Sequence, residues 1–239
     1  MTFHESSFQG GNYPMLSIIV DTSQRDGRLL IIDESYKVVF SSHWQHPLRH
    51  TEQLLLEFKK CRHLFLEKHP SKIYFVSGPG SFTGLRVGAT FIKSLGLIFN
   101  STPIYCLNSF RITASNVMNK LKLTETFSVF ISSIGDMSFR ADYEFSNHVF
   151  QKETVFTSGA GNHTTNSNKV FSPNQALCKK FLDITFIKVD ITDYIDAVKD
   201  LDQNIVSFKV YSHLDLYPLY LRKSEAEEKY SYDKTKLQI

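Results

Sequence analysis

Residues 77–99 read SGPGSFTGLRVGATFIKSLGLIF. The apolar run Ile73–Val76 leads into this stretch, a turn holding Gly78, Pro79, Gly80 and Gly84 follows, and a long apolar helix opens from the turn. Strand, glycine turn and helix start, in that order, aim free backbone N–H groups at a phosphate or carboxylate. Leu85 and Arg86 stand where a P-loop requires its lysine, so the Walker pattern is absent. The stretch predicts an α/β fold with an anion- or nucleotide-type turn that lacks the P-loop lysine.

The helix predicted over 84–99 has a narrow polar stripe of Arg86, Thr90, Lys93 and Ser94. Leu85, Ala89, Ile92, Gly96 and Phe99 form one apolar strip, and Gly88, Phe91, Leu95 and Ile98 form a second beside it. A helix lying on a single sheet needs an apolar arc on one side only, and this arc is wider. Two readings stay open. The helix is buried within its own domain, or one side meets a partner protein, with Gly88, Ala89 and Gly96 allowing a second backbone to approach.

Outward from this segment, Leu16–Val20, Arg28–Ile32 and Tyr36–Ser41 read as three strands with short links, an antiparallel meander. A helix is predicted over 51–68, because Leu54, Phe58, Cys61 and Phe65 recur at helical spacing. Thr51 is its expected N-cap and Pro70 its stop. Ile73–Val76 and Ile104–Leu107 complete five strands. The order βββαβαβ is that of a ribonuclease H-like half-domain, and actin-like proteins and sugar kinases contain two such halves. Past Asn108 the pattern is fainter. We expect a linking helix at 112–121, strands at 127–132 and 138–144, loops over 158–174, a short helix at 190–201, strand or helix at 205–210 and a charged, frayed end at 223–238. The expected division is a tail at 1–14, a first lobe at 15–108 and a second lobe at 109–239.

Composition sets broad bounds. Of 239 residues, 42% are hydrophobic and 21% charged, as in ordinary globular proteins, and 20 Phe with 11 Tyr supply bulk for a core. The net charge of +3 neither demands nor excludes nucleic acid, since a footprint needs clustered charge. Cys61, Cys106 and Cys178 are odd in number and far apart, which fits a reducing compartment rather than a disulfide framework. Residues 1–14 have neither a basic nor an apolar region of a secretory signal, and no apolar run approaches a membrane span. The expectation is a cytoplasmic protein without membrane contact.

Several stretches together resemble the TsaB (YeaZ) family, which takes part in making N6-threonylcarbamoyladenosine beside the tRNA anticodon. They are VDTS at 20–23, RHTE at 49–52, PLYLR at 218–222 and, above all, GPGSFTGLRVG at 78–88. SGAG at 158–161 is similar to a small-residue turn of the family, whereas ISSIGD at 131–136 replaces its Asp-Ala-Arg-x-Gly-Glu-type stretch. The resemblance implies two lobes of the actin/Hsp70/sugar-kinase type, with mixed sheets flanked by helices. It implies a noncatalytic subunit with no cofactor, which pairs through first-lobe helices with a catalytic relative, TsaD, joined by the P-loop ATPase TsaE. It also implies a homodimer when alone, and it leaves contact with tRNA either indirect or unknown. Leu54, Phe58, Phe65, Leu85, Ala89, Ile92 and Phe99 lie on the two helices that would supply the partner surface.

Catalytic readings are weaker. The related catalytic subunit holds metal with a His-x-x-x-His pair after the fifth strand, where this chain has LNSFR at 107–111. His46 and His50 have i, i+4 spacing, but Pro47 intervenes and the pair precedes the helix, so they read as surface or capping histidines. Kinases of this fold carry Asp-x-Gly-Thr/Ser after the first strand, and Asp21-Thr22-Ser23 lacks that glycine. Asp21 either organises its turn or makes a residual magnesium contact through water. Gly80, Ser81, Thr83 and Gly84 either bind a phosphate or cap the following helix. A nuclease needs several gathered carboxylates, which the fourth strand does not offer, and GSFTG at 80–84 is not a serine-nucleophile elbow. A stand-alone ATPase or small-molecule kinase of the same fold is the alternative function.

Overall fold

The computed structural model describes residues 14–45, 49–132, 138–146, 149–158, 169–181, 183–203, 211–212 and 214–219. The expected meander is present as β1 (Ser17–Asp21), β2 (Gly27–Ile32) and β3 (Val38–Trp44). After it come α1 (His50–Cys61), a 3-10 turn at Arg62–Phe65, β4 (Lys72–Gly78), α2 (Phe82–Ile98) and β5 (Ile104–Asn108). The sheet runs β3-β2-β1-β4-β5. β1 is antiparallel to β2 and parallel to β4, which is parallel to β5.

The second half repeats this plan. α3 (Ser109–Leu121) leads to β6 (Phe127–Ser132), β7 (Ser138–Ser146) and β8 (Val149–Ser158), then β9 (Val170–Ser172), α4 (Gln175–Lys180), β10 (Thr185–Phe186) and α5 (Ile191–Gln203). β6, β7 and β8 form an antiparallel meander, β9 is parallel to β6, and β10 is parallel to β9. The order β10-β9-β6-β7-β8 is the first sheet's connectivity over again. The fold is therefore α/β, with two ribonuclease H-like lobes.

Period-two alternation sorts the strand residues to two faces. In the first sheet Ile18, Val20, Leu29, Ile31, Ile73 and Phe75 pack with α1 and α2. Ile19, Leu30, Ile32, Tyr74 and Val76 point the other way, onto α5. In the second sheet Phe127, Val129, Ile131 and Ala141 pack on Phe110, Ala114 and Val117 of α3. Each terminal helix thus covers the opposite sheet. α3 follows the first sheet in sequence and fills the second, and α5 does the reverse.

The helix ends are chemically fixed. Asn108 caps α3 by accepting the Phe110 N–H at 2.8 Å. α5 opens with a capping box, in which Asp190 accepts from Thr192 N at 3.0 Å while Asp193 accepts the Asp190 N–H at 2.7 Å.

Some expectations need correction. α1 begins at His50 with Arg49 at its N-cap and no side-chain cap bond, so Thr51 is not the cap. The α-helix stops at Cys61 and tightens into the 3-10 turn, short of the expected 68. Val170–Ser172 is a strand inside the stretch read as loops. The described residues among 211–219 reach the first lobe. Tyr211 donates its N–H to the Ile104 carbonyl, Leu219 donates to Ser77, and Leu216 is fully buried in the core shared by α1 and α2. Expectations for 1–13, 205–210 and 223–238 lie outside the described residues. No described helix is long and apolar enough to cross a membrane.

Candidate functional site

The glycine turn is built by contact between main chains. β4 ends at Gly78, whose φ of +119° favours glycine. Ser81 is the N-cap of α2, its hydroxyl accepting the Gly84 N–H at 3.3 Å. Ser81 N–H donates to the Ser23 carbonyl at 2.6 Å, and the Thr22 hydroxyl donates to the Gly84 carbonyl at 2.7 Å. A Cβ at Gly80 would stand 2.0 Å from the Ser23 oxygen, and one at Gly84 would stand 2.0 Å from the Thr22 oxygen. At Gly88 it would meet the Thr22 hydroxyl at 2.4 Å. Glycine is required at these positions because the end of β1 lies against the turn. The N–H groups of Ser81 and Gly84 are directed to protein oxygens, and Thr83 is exposed on the first helical turn.

Asp21 lies beside this contact, 3% exposed. One carboxylate oxygen accepts the Ser23 N–H at 2.7 Å and the other accepts the Tyr194 hydroxyl at 2.6 Å. Asp21 therefore organises its turn, as one of its two readings held, and also binds α5. Burial first, and the Asp21 charge next, push the Tyr194 hydroxyl well above its ordinary pKa. Arg28 sits 5.6 Å over the Tyr194 ring and donates to the Val189 carbonyl at 3.2 Å. The Ser109 hydroxyl donates to that of Ser23 at 3.2 Å. Nothing in the sequence announced Tyr194, because it lies 173 positions from its partner.

His50 is neither a surface nor a capping residue. It is buried, accepting the Trp44 indole N–H on Nδ1 at 3.0 Å. That bond assigns the proton to Nε2, which donates to the Gln24 carbonyl at 3.1 Å. Burial lowers its pKa. His46 lies outside the described residues. Among the described residues, no group of three or more His, Cys, Asp or Glu is placed to hold a metal ion.

The residues expected to face a partner are inside the chain's own core. Leu54, Phe65, Ala89, Ile92 and Phe99 are buried in the first-lobe cluster, Phe58 is half-buried against it, and Leu85 is buried as well. The arc of α2 is covered by two neighbours, the sheet and α1, which it meets through a Phe58–Phe91 edge contact at 5.3 Å, and Ile98 alone of its two apolar strips is left exposed. Other residues form the outward faces. Leu55, Leu56 and Leu66 are exposed on α1 and just beyond the 3-10 turn, while Leu97 and Ile98 are 66% and 64% exposed on α2. Lys93 lies 4.7 Å over the ring of Tyr217, which joins the C-terminal segment to the same side of α2.

Comparisons with known proteins agree with this architecture. Residues 50–133, from α1 into the segment after β6, match the family model of TsaD, tRNA N6-adenosine threonylcarbamoyltransferase. No curated protein matches the chain by sequence. Among solved structures, YeaZ from Pseudomonas aeruginosa superposes with a TM-score of 0.64 at 15% identity, covering 86% of this chain and 99% of that one. A second structure, described as an uncharacterized protein with similarity to peptidase YEAZ from Pseudomonas aeruginosa, gives 0.63 at 15% identity, covering 87% and 99%. The chain is thus YeaZ-like in fold, with a TsaD-type sequence signature across the glycine turn, α2 and α3.

Proposed function

We propose that this chain acts in the formation of N6-threonylcarbamoyladenosine on tRNA as a noncatalytic subunit. It pairs with a TsaD-type catalytic protein and a TsaE-type ATPase, and forms a homodimer when alone. It does its work in the cytoplasm.

One observation carries the reading. The segment matching the TsaD family contains the glycine turn, yet the Ser81 and Gly84 N–H groups and the carboxylate of Asp21 are engaged within the chain. Such a site favours binding over bond-making. The mechanism is a population shift, in which the partner's active conformation is favoured to the extent that this chain binds it more tightly. The outer faces of α1 and α2, with Leu55, Leu56, Leu97 and Ile98 exposed, are the surface offered to the partner.

The test is reconstitution. The TsaD-type protein, the TsaE-type protein, tRNA, threonine, bicarbonate and ATP are combined with and without this chain, and the modified nucleoside is measured by mass spectrometry. Product only when the chain is present, with no ATP turnover by the chain alone, supports the proposal. Equal product in its absence refutes it.

A further inference from the structure

The geometry points to α5 as a latch that holds the two lobes at one fixed separation, so that they do not open and close around a nucleotide. Hinge closure in two-lobed proteins works through an interface that can part. Inter-domain contacts move by default unless they are large and apolar. α5 is joined in sequence to β10 of the second sheet, yet it buries Tyr194, Ala197, Val198 and Leu201 against the first sheet.

Polar fastenings stand at both ends of this apolar strip. At the N-terminal end the Tyr194 hydroxyl donates to Asp21 at 2.6 Å, and Arg28 donates to the Val189 carbonyl at 3.2 Å. At the C-terminal end, two turns along the helix, Asp202 receives Tyr74 at 2.8 Å, Tyr36 at 3.1 Å and Lys72 at 2.9 Å. The fastenings draw on β1, β2, β4 and the β2–β3 turn, so α5 is held to the three central strands of the first sheet.

The opposite side of α5 is tied to α3. Asn116 donates to Asp193 at 2.7 Å, Asn119 donates to Asp196 at 3.0 Å, and Lys120 pairs with Asp190. α3 is in turn core to the second sheet through Phe110, Ala114 and Val117. The path from first sheet to α5 to α3 to second sheet is continuous, and parting the lobes at the first sheet would strip a donor from the buried Asp21.

Distance measurement between spin labels tests this. Labels are placed at the exposed positions Glu52 in α1 and Glu144 in β7, as Glu52→Cys and Glu144→Cys, with Cys106→Ser and Cys178→Ser removing the half-buried thiols. The expected result is one narrow distance, unchanged by magnesium–ATP, and a second, longer distance in Tyr194→Phe/Asp202→Asn. Two distances in the unlatched form's parent, or a shift with magnesium–ATP, would overturn the latch. A narrow, unmoved distance in the double variant would equally overturn it. If circular dichroism shows the double variant unfolded, Tyr194→Phe alone is measured, with the magnesium–ATP experiment on the parent deciding independently.

Discussion

Ser23 and Ser81 meet through their main chains, the Ser81 N–H donating to the Ser23 carbonyl at 2.6 Å. The residue before Ser81 is a glycine whose missing Cβ would lie 2.0 Å from that same oxygen. The contact joins the end of β1 to the start of α2, so the glycines of the turn serve close packing of main chains.

Gly80→Ala and Gly84→Ala therefore collide with backbone, which cannot swing aside as a side chain can. Each is expected to cost about 3 kcal/mol, the upper part of the usual overpacking range. Ser81→Ala removes only the cap of α2 and is expected to cost about 1 kcal/mol. Urea denaturation of the three variants measures the ranking. A Gly80→Ala protein as stable as the parent would refute the main-chain contact.

The first lobe was legible in the sequence because its buried strands are short apolar runs and the turns between them are short. The strip of Leu54, Phe58, Cys61 and Phe65 gave α1, and the run from Gly84 gave α2. The repeat of that plan in the second lobe was hidden. Its fourth and fifth strands shrink to Val170–Ser172 and Thr185–Phe186, too short to show a period. The site was half legible. The glycines marked where chains approach, but which chain approaches is a long-range fact, set by Thr22, Ser23 and Tyr194. The breadth of α2's apolar arc was real, but sequence alone does not reveal that α1 takes up the second side.

Burial separates two kinds of substitution on α2. Ile92 is wholly buried, so Ile92→Glu places a carboxylate in the core and is expected to cost more than about 4 kcal/mol, enough to unfold the lobe. Leu97 and Ile98 point outward. Leu97→Glu and Ile98→Glu are expected to change stability by about 0.5 kcal/mol or less while weakening pairing with the TsaD-type subunit or a second copy. Circular dichroism with sedimentation of each variant checks both halves. Unimpaired pairing by the doubly charged Leu97→Glu/Ile98→Glu protein would move the partner surface off α2.

The buried pair of Trp44 and His50 predicts a pH response. Burial depresses the His50 pKa below its ordinary 6.5 in the folded chain. The unfolded chain then binds a proton that the folded chain refuses. Stability from this group is complete above pH 6.5 and is lost as the pH falls from there toward the lower folded pKa. Thermal melts from pH 8 to pH 5 are expected to show a falling midpoint, with a flatter profile in His50→Gln. An equally steep profile in that variant would assign the loss to other groups.

Asp190 predicts a loss at lower pH. Burial acts to raise its pKa, but hydrogen bonds from Lys120 and Thr192 outweigh it and hold the carboxyl at about 2. Its contribution is complete above the unfolded value of 3.8 and is lost as the pH falls through about 2. Asp190 and Lys120 are both substantially exposed, so solvent screens the pair to less than about 1 kcal/mol. The cap is a separate matter, since Asp190 accepts from the Thr192 N–H whether or not Lys120 is charged. Asp190→Asn keeps a capping oxygen and loses the charge, and it is expected to cost a few tenths of a kcal/mol, as exposed ion pairs do. Asp190→Ala loses both and is expected to cost about 1 kcal/mol. Melts of the two variants at pH 7 separate cap from charge. Equal losses would mean that the ion pair, rather than the cap, starts α5.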